Sequence, residues 1–406
     1  MVESPRGYEE LGMIEPDEAA TIIANERVRT ATEEVPLTEG VGRFLNTPLP
    51  ARLTLPRFDK AAVDGIGIGP RDASTQFRLV GTIAAGDEGV PTISPGECIK
   101  IMTGAPVPPG VDRVVRFEYT RSWEDDGETI FRIVREESGA NIAWKGENIN
   151  PGDELLTPRR LTGVDIGIAA SHGYAVLPVA RPVRVVIVAT GSELTPPGEP
   201  LADAAIYDGN SYQLAAMAES AGAAVVRTGI VPDDRDLLRR RLDEALTDGE
   251  IVVVSGGVSM GELDYVPSTL ESLGVETGFH GLAMKPGRPT YFGRRGETVV
   301  FGLPGNPVST AVQFELFITP LIRRRMGVPC VPREGFVTLA HPFRRKNADR
   351  HEYRPGTVDI HNRVTMVPYK GSGHVAALAA ANALIRVDRG VAEIAEGETV
   401  YARYIR

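Results

Sequence analysis

Between residues 184 and 327 the sequence alternates short β-branched apolar runs with amphipathic helical stripes, a pattern that few architectures accept. Val185-Val186-Ile187-Val188, bounded by Pro182 and Thr190-Gly191, reads as a buried strand. Leu214, Met217, Ala218 and Ala221 mark one face of a helix that starts near Asn210 and stops at Gly222. A strand over 224–231 follows, then a helix over 234–246 with a stripe of Leu237, Leu238, Leu242, Ala245 and Leu246, then an apolar run over 251–254. A hairpin over 289–303 turns at Arg295-Gly296, and a long helix over 307–326 ends at Gly327 and Pro329. Such alternation predicts a parallel sheet wrapped by helices. Ligands of these sheets bind beyond the carboxyl ends of the strands.

The flanking segments read differently. Residues 50–145 are rich in Gly and Pro with short β runs, and predict a β domain inserted into a helical and extended framework of 1–49 and 146–180, whose first residues pack on the α/β domain. After 329, strand-like runs at 336–339, 357–360, 363–368, 384–387 and 400–405, with a helix at 375–381, predict a small β-barrel-like domain. The expected fold class is therefore α/β plus β, multidomain, with the α/β domain over 181–328 and the C-terminal domain over 329–406. With 44 Gly and 31 Pro in 406 residues, a coiled coil or helical solenoid is excluded.

Four loops fall at the predicted strand ends: Thr190-Gly191-Ser192-Glu193, Ser255-Gly256-Gly257-Val258-Ser259-Met260-Gly261 with Asp264 three residues on, Met284-Lys285-Pro286-Gly287-Arg288-Pro289, and Gly302-Leu303-Pro304-Gly305-Asn306-Pro307-Val308-Ser309. Glycine lets backbone N–H groups approach an anion, a following helix N-terminus adds partial positive charge, and Lys285 and Arg288 add full charges nearby. Each loop alone reads equally as a tight turn; four on one sheet point to a phosphate or pterin-phosphate site. Glu193, Asp208, Asp233 and Asp264 fall near the same strand ends. A carboxylate about 5 Å from a phosphate is repelled by roughly 3 kcal/mol at an effective dielectric near 20. Several acids facing a diphosphate therefore call for a divalent cation such as Mg²⁺. Asp208, Asp233 and Asp264 equally suit helix N-caps, and Asp234 is the better cap beside Asp233.

Charge and motif content narrow the function classes. A net charge of −10 argues against a nucleic-acid protein with a basic surface. Cys98 and Cys330 lack C-x-x-C spacing, and the six histidines lack H-x-x-H or H-E-x-x-H spacing, which argues against a disulfide framework and against Cys- or His-based metal sites. His374, after Gly371-Ser372-Gly373, reads as a surface-loop histidine. Gly65-Ile66-Gly67-Ile68-Gly69 lacks G-x-G-x-x-G spacing. No signal peptide or spanning run is evident, so the expectation is a soluble cytoplasmic protein without membrane or nucleic-acid partners.

Beyond these loops, the sequence resembles the molybdopterin molybdenumtransferase family, the MoeA proteins, to which the E domain of gephyrin is related. The resemblance rests on Pro56-Arg57-Phe58-Asp59 with Asp64-Gly65, Ile101-Met102-Thr103-Gly104-Ala105-Pro106, Gly146-Glu147-Asn148-Ile149, Thr190-Gly191-Ser192-Glu193-Leu194, and Tyr207-Asp208 with Asn210-Ser211. It continues through Ser255-Gly256-Gly257-Val258-Ser259 with Gly261 and Asp264-Tyr265, Lys285-Pro286-Gly287, and Gly302 onward to Ser309. It implies a MogA-like, molybdopterin-binding α/β domain in a four-part subunit, and a homodimer whose cleft combines both chains. The implied reaction takes adenylylated molybdopterin and molybdate (or tungstate), releases AMP in a Mg²⁺-dependent step, and inserts the metal.

By the same resemblance, Glu193, Asp233 and Asp264 serve the metal and the adenylyl-pterin site, and Lys285 is catalytic. Asp64 and Thr103 approach from the partner's β domain. Gly256, Gly257, Ser259, Arg288, Pro304, Gly305, Pro307 and Ser309 bind substrate, with Ser309, Arg288 and the helix start at Pro307 as a molybdate niche. The chain departs from the family in Asp64-Gly65-Ile66-Gly67, where Asp-Gly-Tyr-Ala is usual, and in Arg288, where lysine is common. The adenylyltransferase that supplies the substrate is a candidate partner. Two other readings stay open: a non-catalytic scaffold of the same fold, and the adenylyltransferase itself.

Overall fold

The computed structural model describes residues 13–27, 31–70, 74–89, 91–259, 264–330 and 332–405. The six-stranded sheet that positions the candidate site is built from β7 (Arg184–Thr190), β8 (Ala224–Val231), β9 (Ile251–Ser255), β10 (Glu276–His280), β12 (Tyr291–Arg295) and β13 (Thr298–Leu303). Six strands of an N-terminal sheet precede these in the chain, and β11 (Met284–Lys285) belongs to a third sheet. The strand order is β8-β7-β9-β13-β12-β10. β8, β7, β9 and β13 run parallel. The hairpin return makes β12 antiparallel to both β13 and β10, so the expected parallel sheet gains an antiparallel edge.

Alternation along the strands divides the core into two layers. Val185, Ile187, Val253, Val299 and Phe301 pack with α3 (Asn210–Ala221), α6 (Pro307–Gln313) and α7 (Thr319–Arg325). Val186, Val188, Val252, Val254 and Val300 face α4 (Arg235–Asp248) and α5 (Val266–Ser272). Strands buried on both faces are continuous apolar runs for this reason. The first layer also takes Ala19 and Ile23 of α1 (Pro16–Ala24), and Ile14 exchanges backbone hydrogen bonds with Gly281 and Ala283.

The long C-terminal helix of this unit is not uniform. Residues Phe314–Ile318 form a wider π turn between α6 and α7. Pro320 has no N–H to donate backward, and the side chain of Arg403 donates to Glu315 O at 3.2 Å, satisfying a carbonyl of that turn from another sheet.

Two β units flank the sandwich. β1 (Gly65–Ile68), β2 (Gln76–Ile83), β3 (Glu97–Ile101), β4 (Arg113–Arg116), β5 (Thr120–Asp125) and β6 (Glu128–Ile133) form a sheet of order β4-β1-β3-β2-β6-β5. It hangs from antiparallel pairs between residues 32–50 and 154–180, which with α2 (Gly163–Ser171) enclose Val35, Leu45, Leu49, Leu156 and Leu177. After residue 332, β14 (Glu334–Leu339), β15 (His351–Val358), β16 (Arg363–Met366), β17 (Ala383–Val387) and β18 (Thr399–Tyr404) close on themselves through a β15–β17 pairing, and α8 (Ala376–Ala380) lies beside β15. β15 starts six residues before the expected run at 357, because Pro355 and Gly356 interrupt a strand that the sheet nonetheless accommodates. Among the described residues no helix is long and apolar enough to cross a membrane.

Charged contacts fasten α1 to the C-terminal barrel. Arg386 grips Asp17 with two hydrogen bonds of 2.8 and 2.9 Å, and Arg389 reaches Glu15 at 2.7 Å. The Arg386 guanidinium holds the Asp17 carboxyl below its usual range. A depressed carboxyl contributes stability that is present above its unfolded pKa and lost as pH falls through the folded value. Asp17 is 69% exposed, so solvent screening limits the pair to about 1 kcal/mol. Asp17→Asn is therefore expected to lower the thermal midpoint slightly at pH 7, with the difference from wild type closing below about pH 4. A difference that does not shrink at all between pH 7 and pH 2 contradicts the assignment.

Candidate functional site

The parallel register brings the strand ends to one level: Ala189 stands opposite Ser255, Ser255 opposite Leu303, and Thr190 opposite Val231. The loops that leave these ends enclose a cavity of about 460 Å³. Its walls include Gly191, Glu193, Asp208, Asp233, Gly256, Gly257, Asp264, Gly305 and Pro307. The position is the crevice beyond the carboxyl edge of the sheet that α/β folds use for ligands.

Side chains of α3 lock the loops together. Asn210 donates to Ser255 Oγ at 2.9 Å and to Gly305 O at 2.7 Å, and Gln213 donates to Pro307 O at 3.1 Å. Gly256 N donates to Leu303 O at 3.0 Å. A Cβ on Gly256, which has φ +96°, would stand 2.4 Å from Thr190 O, so only glycine lets these two loops meet. The sequence marks Asn210 only as a helix start in Tyr207-Asp208 with Asn210-Ser211; the signal for its cross-linking role is an amide side chain at that position.

The acids divide into two kinds. Asp208 is buried and accepts hydrogen bonds from Ser211 N, at 2.9 Å, and from Ser211 Oγ, so it caps the start of α3 while lining the cavity. Asp234 caps α4, accepting from Leu237 N at 2.8 Å. Asp233 faces the cavity and exchanges bonds with Ser192: Asp233 N donates to Ser192 Oγ at 2.9 Å, and Ser192 N to Asp233 Oδ2 at 3.2 Å. Glu193 is exposed, and its carboxylate lies over Gly191, where a Cβ would come within 2.5 Å of Oε2. Asp264, partly buried, completes the acidic wall.

The described lining thus holds four carboxylates and no Lys, Arg or His. Its charged donors are all hard oxygens, suited to Mg²⁺ rather than to a thiophilic metal. Among the described residues, no three His, Cys, Asp or Glu side chains stand close enough to hold an ion by themselves. Glu193, Asp233 and Asp264 are therefore not a preformed three-ligand cage. They fit the usual mode of Mg²⁺, with one or two carboxylates completed by water and phosphate oxygens.

The expected cations lie elsewhere. Lys285 and Arg288 are exposed and do not line the cavity. Lys285 pairs with Glu352 at 3.3 Å, and β11 joins β15 with Lys285 opposite Glu352, which draws this loop toward the barrel. Gly287, φ +108°, is packed under Gln313, which donates to its carbonyl at 2.8 Å. Pro304 and Ser309 are buried, Ser309 at 2% exposure, so the hydroxyl expected in an oxyanion niche is turned into the packing of α6. Ser259 is exposed outside the lining. Asp64 and Thr103 sit on the N-terminal sheet unit, where Asp64 Oδ1 accepts from Thr103 N at 2.6 Å and Thr103 Oγ1 at 2.8 Å. These two bonds hold the Asp64 carboxyl below its usual range.

The barrel adds a wall that the sequence did not disclose. Val308 N donates to Ser372 O at 3.1 Å, and Val375 lines the cavity. Ser372 lies in the segment that read only as the approach to a surface histidine.

Family models match the chain in three consecutive stretches. Residues 14–173 match the MoeA N-terminal region (domain I and II), 186–324 a probable molybdopterin binding domain, and 337–402 the MoeA C-terminal region (domain IV). Molybdopterin molybdenumtransferase 2 of Mycobacterium tuberculosis is 36% identical over 380 residues, 89% of this chain and 92% of the relative. The molybdopterin molybdenumtransferase of Bacillus subtilis is 32% identical, covering 96% of this chain and 94% of its own. The crystal structure of a molybdopterin biosynthesis MoeA protein from Pyrococcus horikoshii OT3 superposes with a TM-score of 0.82 at 27% identity, over 97% of this chain and 100% of that one. At this identity and coverage, the chain belongs to the MoeA family of molybdopterin molybdenumtransferases.

Proposed function

We propose that the protein acts in molybdenum cofactor biosynthesis, taking adenylylated molybdopterin and molybdate (or tungstate), releasing AMP in a Mg²⁺-dependent step and inserting the metal into the pterin dithiolene. The observation that carries this reading is the cavity itself: Glu193, Asp233 and Asp264 share one hollow with Gly256, Gly257, Gly305 and Pro307. Four carboxylates without a lining cation repel a diphosphate unless a divalent ion enters with it. When bound there, Mg²⁺ supplies the charge that lets phosphate oxygens approach the acids and polarises the phosphorus.

The chain's own groups do the positioning. Asp233, tied to Ser192, and Glu193, laid over Gly191, present oxygen donors from two neighbouring loops. Gly257 and Gly305 leave room for phosphate close to the main chain, and the helix start at Pro307 adds partial positive charge. Water adds to the adenylyl phosphorus, the bond to the bridging oxygen breaks, and AMP leaves; Lys285 holds charge that develops on the departing pterin phosphate. In the insertion, two Mo–S bonds form as one oxo oxygen leaves as water with the two thiol protons, and the metal keeps its oxidation state. In this reading the enzyme works as a cytoplasmic homodimer, with Asp64 and Thr103 reaching a second copy's cavity. The adenylyltransferase hands on the substrate.

Release of AMP from adenylylated molybdopterin, with and without molybdate, tests the proposal. Molybdate-stimulated release is expected; ATP consumption instead indicates the adenylyltransferase, and silence a scaffold. Asp233→Asn and Glu193→Gln should each lower stimulated release roughly 10²-fold, and wild-type rates in either variant remove that acid from the mechanism. Thr103→Val deletes one of the two bonds that depress Asp64, so the Asp64 pKa should rise toward the ordinary aspartate value in a carboxyl ¹³C titration. An unchanged value shows that the hydroxyl does not bear on it.

A further inference from the structure

Glu352 is a carboxylate at 1% exposure with three cations around it: Lys285 Nζ at 3.3 Å, Arg354 Nη1 at 3.2 Å and Arg345 Nη1 at 3.5 Å. Two of the three are fixed independently. Arg345 also donates to Val391 O at 2.7 Å and Arg350 O at 3.0 Å. The Arg354 guanidinium lies against the rings of Phe343 and Tyr369, 5.1 and 5.3 Å from their centres. Lys285 is the loose member, with a side chain 52% exposed and Glu352 as its ion-pair partner among the described residues.

Merely joining two domains does not require this arrangement. Apolar packing does so without the desolvation cost of a buried ion, and removing one partner of such a cluster is expensive. One carboxylate among three cations also leaves this cluster with a net positive charge. The cluster reaches the cavity rim by a short path. Tyr369, against Arg354, lies three residues before Ser372, whose carbonyl receives Val308 N at 3.1 Å, and six before Val375 of the cavity wall.

We propose that Glu352 is a positioning residue: it anchors the Lys285 ammonium from the C-terminal barrel, so that Lys285 meets the substrate's phosphate at a fixed point set by the β11–β15 pairing. The inference rests on the role given above to Lys285. A displacement of about 1 Å at a reacting group far from the mutated site costs on the order of 10²-fold. Glu352→Asp keeps the charge but draws the carboxylate back by one methylene, so that the flexible Lys285 ammonium, unlike the independently fixed Arg345 and Arg354, loses its anchor point; Glu352→Gln keeps the shape and removes the charge.

The test is a double-mutant cycle on molybdate-stimulated AMP release, with a thermal melt of every variant. Lys285→Met should reduce kcat strongly. Glu352→Asp and Glu352→Gln should each reduce kcat about tenfold with little change in KM, and neither should cost anything further in the Lys285→Met background. If Glu352→Gln melts below the assay temperature, Glu352→Asp decides. Equal losses in both backgrounds, or wild-type kcat in a folded Glu352→Asp, overturn the proposal. Wild-type kcat in Lys285→Met overturns the role of Lys285 itself, and is distinguishable because the Glu352 variants are then irrelevant to the cycle.

Discussion

The register of three parallel strands is the constraint on which the site depends. Because Ala189, Ser255 and Leu303 fall at one level, the loops after them must cross the same short edge of the sheet. Close crossing demands glycine where a Cβ would strike a carbonyl, as at Gly256, and a polar cross-link where loops from different strands meet, as Asn210 provides. The apolar face pairs above and below leave the strands no freedom to slip, since a one-residue shift would exchange the two core layers.

That edge then concentrates negative charge. Four carboxylates reach one hollow, and one of them, Asp208, is committed to capping α3. The others stand partly in solvent, where hydration tolerates them until a ligand displaces water. An anionic ligand and a hard cation are thereby mutually dependent: neither the acids with a bare phosphate nor the acids alone make a low-energy closed site. Of the expected cations, Lys285 is held instead by the barrel, since its strand of two residues belongs to the barrel sheet although the sequence places it within the α/β segment.

Most of the sandwich was legible because its strands are apolar on both faces and its helices carry clean stripes, such as Leu238, Leu242 and Ala245. The hairpin over 289–303 was legible as well; its docking onto the parallel sheet, the π turn and the early start of β15 were not. Each of these depends on partners distant in sequence: β9 for β13, Arg403 for Glu315 O, and the closed barrel for Pro355 and Gly356. At the site, the glycine loops and acids read directly from composition at strand ends. The positions of Lys285, Arg288 and Ser309 did not, because one-dimensional proximity to Gly305 and Pro307 says nothing about the pull of Glu352 or the inward face of α6. Val375 and Glu352 carried no local signal of their place beside the cavity wall and Lys285; docking of the barrel puts them there.

The central claim is that the acidic hollow at the sheet edge takes a divalent ion and a phosphate together. Crystals soaked with Mn²⁺ and AMP, measured for anomalous scattering, address this directly. The account predicts a manganese peak inside the cavity, ligated by at least one of Glu193, Asp233 and Asp264 and by an AMP phosphate oxygen. Manganese and phosphate bound at separate places, or phosphate seated in the hollow with no ion between it and the carboxylates, would contradict it.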